Sequence, residues 1–284
     1  MTSRLLRRST GIILLLLGMV FIAEAQDRNA VIQAYNEGAK AIQTDAPAAI
    51  KAFENTIALA DKVGESAADL KQKAQAVLPG LYQKVAAAAI NEKKTTPEVL
   101  SAARAAMKVS EKFGTQAQKD NALKIMAQAY GVAGSAYFSK NDYANAIAAF
   151  DSVLAINPAS VGTIYNKALV YMKQNDAKSF GQTIDTYISK VKEANDEAKV
   201  KQASTLALGY FRGEGSKANQ AEKLDDAIAN LDKAASYGED KDLYYYYADV
   251  YNKKKTLTRV LKMPTRDWLL RQVHLRQKPS FTSR

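Results

Sequence analysis

Hydrolytic, redox and metal chemistry each need particular side chains at particular spacings, and few of them are present here. The 284 residues include one histidine, His274, and no cysteine. Neither a Ser-His-Asp triad, a Cys-His pair nor a cluster of imidazole or thiolate ligands can be built from that set. Asp225-Asp226 could in principle divide general acid and base roles. They open a helical segment, where the helix dipole favours acidic residues, and the reading is structural. Gly213-Glu214-Gly215 follows no strand, as a phosphate-binding loop would, and reads as a loop inside a polar insertion. The run Tyr244 to Tyr247 remains. On a helix Tyr244 and Tyr247 share a stripe with Ala248 and Tyr251 and read as core. Tyr245 and Tyr246 point elsewhere, either as a binding surface or as packing against a neighbouring repeat. The expectation is a protein that is not an enzyme and uses no cofactor or metal.

The elements that must position these residues are helical. Alanine is abundant, proline is scarce with six residues, and β-branched alternation is nearly absent. Breaks fall at Thr44-Asp45, Val63-Gly64, Lys93 to Pro97, Phe113-Gly114, Asn141-Asp142, Asn157-Pro158, Asn175-Asp176, Gly213 to Gly215 and Tyr237-Gly238. The segments between them have helical length, and such short breaks imply antiparallel neighbours.

The two ends differ from this body. Arg4, Arg7 and Arg8 precede an apolar run from Gly11 to Ala23, which closes on Ala23-Glu24-Ala25. This pattern predicts a signal peptide over 1–25, cleaved near Ala25-Gln26, with the mature protein periplasmic or secreted and at the membrane only during export. The apolar run is short for a spanning helix. Residues 256–284 contain no Ala, Gly, Glu, Asn or Tyr, yet hold Trp268, His274 and five arginines. They read as an atypical basic tail, either functional or the product of a shifted frame. Most of the formal charge of +11 lies in these ends. Residues 26–255 carry 30 basic against 27 acidic residues, a balance that gives no reason to expect nucleic-acid binding.

Within the body a period appears. Tyr130, Gly134, Tyr137, Asn141 and Asp142 recur 34 positions later as Ile164, Ala168, Tyr171, Asn175 and Asp176. Tyr130, Ala133, Gly134 and Tyr137 form a stripe on a first helix, and Ala146, Phe150, Val153 and Leu154 on a second. Gly134 and Ala146 are expected to face one another where the helices cross, with Tyr137 and Phe150 beside them. Asp142 should cap the second helix and Pro158 end it. With its Gly-x2-Tyr, Ala-x3-Phe and closing Pro, the stretch Gly134 to Pro158 resembles the tetratricopeptide repeat family. The resemblance implies an all-α solenoid of antiparallel helix pairs wound as a right-handed superhelix.

The remaining units are weaker. Residues 26–126 read as divergent repeats, with Gly38, Ala49 and Phe53 in matching roles and further helices around Leu81-Tyr82 and Leu100 to Met107. Residues 127–194 hold the two clear repeats, and 195–255 further pairs with an insertion near 212–221. In the second clear repeat Lys167 occupies an apolar site and Phe180 a small one, so either Gly181 takes over the close contact or the pair packs loosely. The last pair is expected to be unfinished, with Tyr247 and Tyr251 less buried than Tyr137.

The resemblance also implies a function. First helices of such pairs present side chains to peptides or partner domains. Here those would be Gln128, Ser135, Phe138, Tyr165, Leu169, Met172, Lys173, Tyr245, Asp249 and Asn252. The set lacks a dense Lys/Arg clamp for a terminal carboxylate. The implied role is a protein- or peptide-binding scaffold. The alternative is a structural accessory of a cell-envelope assembly complex with no peptide groove.

Overall fold

The computed structural model describes residues 27–254, and every regular element among them is helical. The chain divides into two compact units at Pro158 and Ala159. The first contains α1 (residues 27–41), α2 (Ala46–Val63), a 3-10 turn (Glu65–Ala67), α3 (Ala68–Asn91), α4 (Thr96–Phe113), α5 (Gln116–Ser139) and α6 (Tyr143–Ile156). The second contains α7 (Val161–Lys173), α8 (Ala177–Glu193), α9 (Glu197–Gln220), α10 (Leu224–Ala235) and α11 (Lys241–Lys253). Each unit is a stack of antiparallel helix pairs, the architecture expected from the sequence. The signal-peptide and tail segments lie outside the described residues.

One turn recurs at five helix ends. After α5, the Asp142 N–H reaches back to the Tyr137 carbonyl at 2.9 Å and the Asn141 N–H to the Phe138 carbonyl at 3.0 Å. This doubly bonded C-terminal turn needs a left-handed residue between its donors. Asn141 fills that place with φ 59°, as do Asn175 and Asn195, at 57° and 55°, after α7 and α8. The following aspartates, Asp142, Asp176 and Asp196, then cap the next helix by accepting a backbone N–H. Asn195-Asp196 therefore ends α8, a boundary the sequence reading missed although the same dipeptide had marked two others.

Lys93 and Glu222 take the left-handed position without asparagine's tolerance, at φ 53° and 59°. Glu222→Asn is thus expected to stabilise the second unit by roughly 0.5–1 kcal/mol, since left-handed backbone costs an ordinary side chain about 1–2 kcal/mol. Chemical denaturation would read the gain. An unchanged midpoint would show that the turn is not strained.

In the first unit the pairs lock through a glycine and an aromatic ring. A Cβ on Gly38 would lie 3.0 Å from the Phe53 ring, which Tyr35 also meets edge-on at 5.4 Å. A Cβ on Gly134 would meet Phe150 Cε1 at 2.5 Å. The ring of Phe150 therefore fills the space that Gly134 leaves, as expected of the aromatic beside this helix crossing. Ala146 is fully buried. Tyr130 and Tyr137 are half-buried at the edges of their stripe.

A polar lock joins α3, α4 and α5. Gln83 is buried and its amide donates to Ser110 Oγ at 2.9 Å and to the Gln118 carbonyl at 2.8 Å. Asn121 donates to Gln83 Oε1 at 2.7 Å. Every polar atom of the Gln83 amide group thus has a partner, the condition under which burying it is tolerated.

The second unit corrects three expectations. Residues 212–221 are not an inserted loop, because α9 runs unbroken through Gly213 and Gly215 to Gln220. A Cβ on Gly215 would lie 2.8 Å from Leu231 Cγ, so this glycine repeats the role of Gly134. Gly213 has open space around it. In the second clear repeat Gly181 does not take over the close contact with α7. Phe180 is fully buried against Tyr210 and Phe211, with ring centroids 4.6 and 5.7 Å away. Gly181 also faces Phe211, so both residues serve the contact with α9. Lys167 is half-buried, with its ammonium 5.7 Å above the Tyr171 ring. Finally, Tyr247 and Tyr251 are each 2% exposed and more buried than Tyr137. They are covered because α11 packs on both α10 and α9, and Tyr247 donates a 2.7 Å hydrogen bond to Asp232.

The two glycines of α9 allow opposite predictions from neighbouring sites. Gly213→Ala should stabilise by about 1 kcal/mol, the helix-interior difference between the residues. Gly215→Ala should lose stability as its new methyl displaces Leu231. Thermal unfolding of both variants checks this. A loss at Gly213 would contradict a helix through that point.

Candidate protein-binding faces

In the first unit, the first-helix residues singled out by sequence lie on α5. Gln128 and Ser135 are exposed, seven residues apart on one face. The Ser135 hydroxyl donates to the Gly131 carbonyl at 3.0 Å. Phe138 is half-buried, its ring 6.1 Å from that of Tyr143. Val132 stands between Gln128 and Ser135 in the i, i+4, i+7 series and is 38% exposed. The sequence reading missed Val132, although its spacing from Gln128 and Ser135 was the available signal.

In the second unit, α7 carries Tyr165, Leu169, Met172 and Lys173. Tyr165 is half-buried, with its ring 4.9 Å from Tyr187 of α8. Leu169 and Met172 are also half-buried and Lys173 is exposed. Together they give a mixed strip with apolar centre and charged end. On α11, Tyr245 is 45% exposed and its ring lies 5.8 Å from Tyr246. Asp249 follows one turn later and Asn252 two turns later, the latter exposed.

The equivalent face of α9 was hidden by the supposed insertion. With Gly215 aligned on Gly134, the positions matching the α5 and α7 faces become Arg212, Ser216 and Asn219. Two of them bind α11. Arg212 pairs with Asp240 and, at 3.4 Å, with Asp242. Asn219 is buried and donates to Asp249 at 2.6 Å, while Lys253 donates to Asn219 Oδ1 at 3.1 Å. Asp249 is therefore committed in part to holding α11 on α9.

Acid–base groups do not converge on these faces. Tyr82 is pushed up to about 12 by burial and by its hydrogen bond to Glu54. Burial likewise pushes Tyr210 up to about 12. Both rings serve packing. Among the described residues no group of His, Cys, Asp or Glu could hold a metal ion, and no helix is long and apolar enough to cross a membrane.

Residues 134–175 match the family model described as TPR repeat. This segment is similar to tetratricopeptide repeats. The match begins at Gly134, the residue whose missing side chain admits Phe150, and ends at Asn175, the left-handed residue of the second recurrent turn. Tetratricopeptide repeats generally mediate protein–protein interactions, and families built from them are generally non-enzymatic. No curated protein matches the sequence. Similar solved structures include the apo form of RapI, at 13% identity over 86% of this chain and 99% of that one, with TM-score 0.32. Another is a tetratricopeptide repeat protein from Parabacteroides merdae ATCC 43184, at 13% identity over 88% and 98%, with TM-score 0.25. A computationally designed self-assembling cyclic homooligomer shows 14% identity over 90% and 97%, with TM-score 0.21.

Proposed function

We propose that this protein is an exported, non-enzymatic scaffold that holds a protein or peptide partner on the first-helix faces of its helix pairs. The observation that carries the reading is the tetratricopeptide repeat at 134–175 together with the half-exposed apolar side chains that its first helices leave outside the core. Phe138 in the first unit, and Tyr165, Leu169 and Met172 in the second, offer apolar area at an angle to water. Gln128 and Ser135 on α5, Lys173 on α7 and Asn252 on α11 offer polar contacts. Such a mixture of anchoring apolar groups and polar surroundings suits protein recognition.

Recovery of partners from envelope extract tests the proposal. Phe138→Ala in one variant and Leu169→Ala with Met172→Ala in another should each reduce recovery at unchanged helicity. A stable multiprotein complex recovered equally by all variants would instead favour a structural accessory without a groove. Export rests on the basic start, the apolar run and Ala23-x-Ala25. The mature chain is expected to begin at Gln26 outside the cytoplasm, read by N-terminal sequencing of exported material. Retention of residues 1–25 in the membrane fraction would overturn it.

A further inference from the structure

The second unit holds an open cleft of about 300 Å³, lined by none of the face residues described above. It is lined by residues of α8, by Ser204 of α9 and by Ser236 and Tyr237 at the end of α10. The cleft exists because α8 and α10 both pack on α9 and are tied to each other through side chains. Lys233 and Tyr237 each reach Asp185 at 2.7 Å, one through its ammonium and the other through its hydroxyl. The Lys233 ammonium also lies 4.9 Å over the Tyr237 ring, whose stacking on Phe211 at 5.9 Å fixes the ring in place.

These contacts decide which groups of the cleft remain available. Asp185 is neutralised by Lys233 and already accepts two hydrogen bonds. The Ser236 hydroxyl donates to the Lys233 carbonyl at 2.7 Å. Ser189 and Lys192, one turn apart on α8, and Ser204 face the cleft, and their side chains have no hydrogen-bond or ion-pair partner among the described residues. The cleft therefore presents one cation without a carboxylate partner and two unspent hydroxyl donors, with no unpaired carboxylate. It is complementary to a small anion that accepts hydrogen bonds. The carbonyl ends of α8 and α10 lie at the same cleft and oppose any anion there, a doubly charged one more than a singly charged one, so a carboxylate fits better than a phosphate. An open site of this size leaves much of a free small carboxylate in water, whereas a carboxylate carried on a peptide adds the contacts of its own stem and of the flanking backbone.

We propose that this cleft receives a glutamate or aspartate side chain of a partner protein, with Lys192 as ion-pair partner and Ser189 and Ser204 as hydrogen-bond donors. The inference rests on the scaffold reading above and adds a second, charge-selective contact to it.

Amide chemical-shift titration of the full chain tests it with acetyl-Gly-Glu-Gly-amide, the glutamine counterpart and sodium acetate. The glutamate peptide should give saturable shifts at Ser189, Lys192 and Ser204. The glutamine peptide should bind about fivefold more weakly, the factor that about 1 kcal/mol of exposed ion pairing gives. Lys192→Gln, at an exposed position that leaves the fold intact, should lose the same factor. Equal response to both peptides, response surviving Lys192→Gln, or no response at these residues would overturn the proposal. Acetate binding as tightly as the peptide would also overturn it, by showing a site for free carboxylates. Partner recovery by the Phe138 and Leu169/Met172 variants is read separately, so failure of the cleft and failure of the scaffold reading are distinguishable.

Discussion

Replacing Gly134 with leucine is expected to destabilise the first unit by roughly 1–3 kcal/mol, the range for overpacking a filled core. The cause is local and steric. Even a methyl at this position would stand 2.5 and 2.7 Å from two carbons of the Phe150 ring, closer than any two such atoms approach without displacement. Phe150 is 1% exposed and has no solvent-side space into which to swing. Helix propensity acts in the opposite direction, since leucine is a better helix former than glycine. A net loss therefore isolates the steric term. Thermal unfolding followed by circular dichroism should show a melting point lower by several degrees. Shrinking the ring by Phe150→Leu in the Gly134→Leu background should recover part of that loss. A Gly134→Leu protein that melts with the wild type would show that the helix pair is not locked by this contact.

Gln83→Leu is expected to cost roughly 2–4 kcal/mol, with each stranded polar group contributing roughly 1–3 kcal/mol. The Gln83 amide is the common partner of Ser110 Oγ, the Gln118 carbonyl and the Asn121 amide. Leucine matches the volume closely but removes all three partners at once. Ser110 is fully buried and has no water to turn to. Adding Ser110→Ala to Gln83→Leu should recover part of the loss by removing one of the stranded groups, which separates hydrogen bonding from packing. Equilibrium denaturation of the three proteins reads this. A Gln83→Leu protein as stable as the wild type would mean that α3, α4 and α5 are held by apolar packing alone.

These two contacts show unequally in the sequence. The Gly134–Phe150 pair lay within one 34-residue period, and the small and aromatic residues were recognisable as a packing set, although not which of them lies nearest to Gly134. Periodicity locates a residue on a face but does not say which facing side chain fills the gap. The Gln83 lock was invisible, because Ser110 and Asn121 stand 27 and 38 residues away and each would be ordinary on a polar surface. Glycine misled at 213–215. It was counted as a breaker, whereas Gly215 admits Leu231 in a continuous helix, and that error hid the Arg212 and Asn219 face. Asn195-Asp196 escaped for another reason. It lies off the 34-residue period, although its chemistry is that of Asn141-Asp142 and Asn175-Asp176. The cleft above Ser204 draws on three helices and could not be read from any one of them.

Of the face residues, Phe138 and the Tyr165 to Met172 strip combine partial exposure with apolar area. Asp249 is instead tied to Asn219 and Lys253, so substituting it would disturb the seat of α11 as well as any partner contact. Phe138 and Leu169 are therefore the positions at which binding can be probed with least effect on the fold.

Site-specific photocrosslinking in intact cells tests the scaffold claim most directly. A photoreactive residue at Phe138 or Leu169, on first helices, is expected to yield discrete protein adducts. The same residue at Ala148 or Ala155, exposed on the second helix α6, is expected to yield none. Adducts from Ala148 and Ala155 with none from Phe138 and Leu169 would place the partner on the opposite helices and contradict the account.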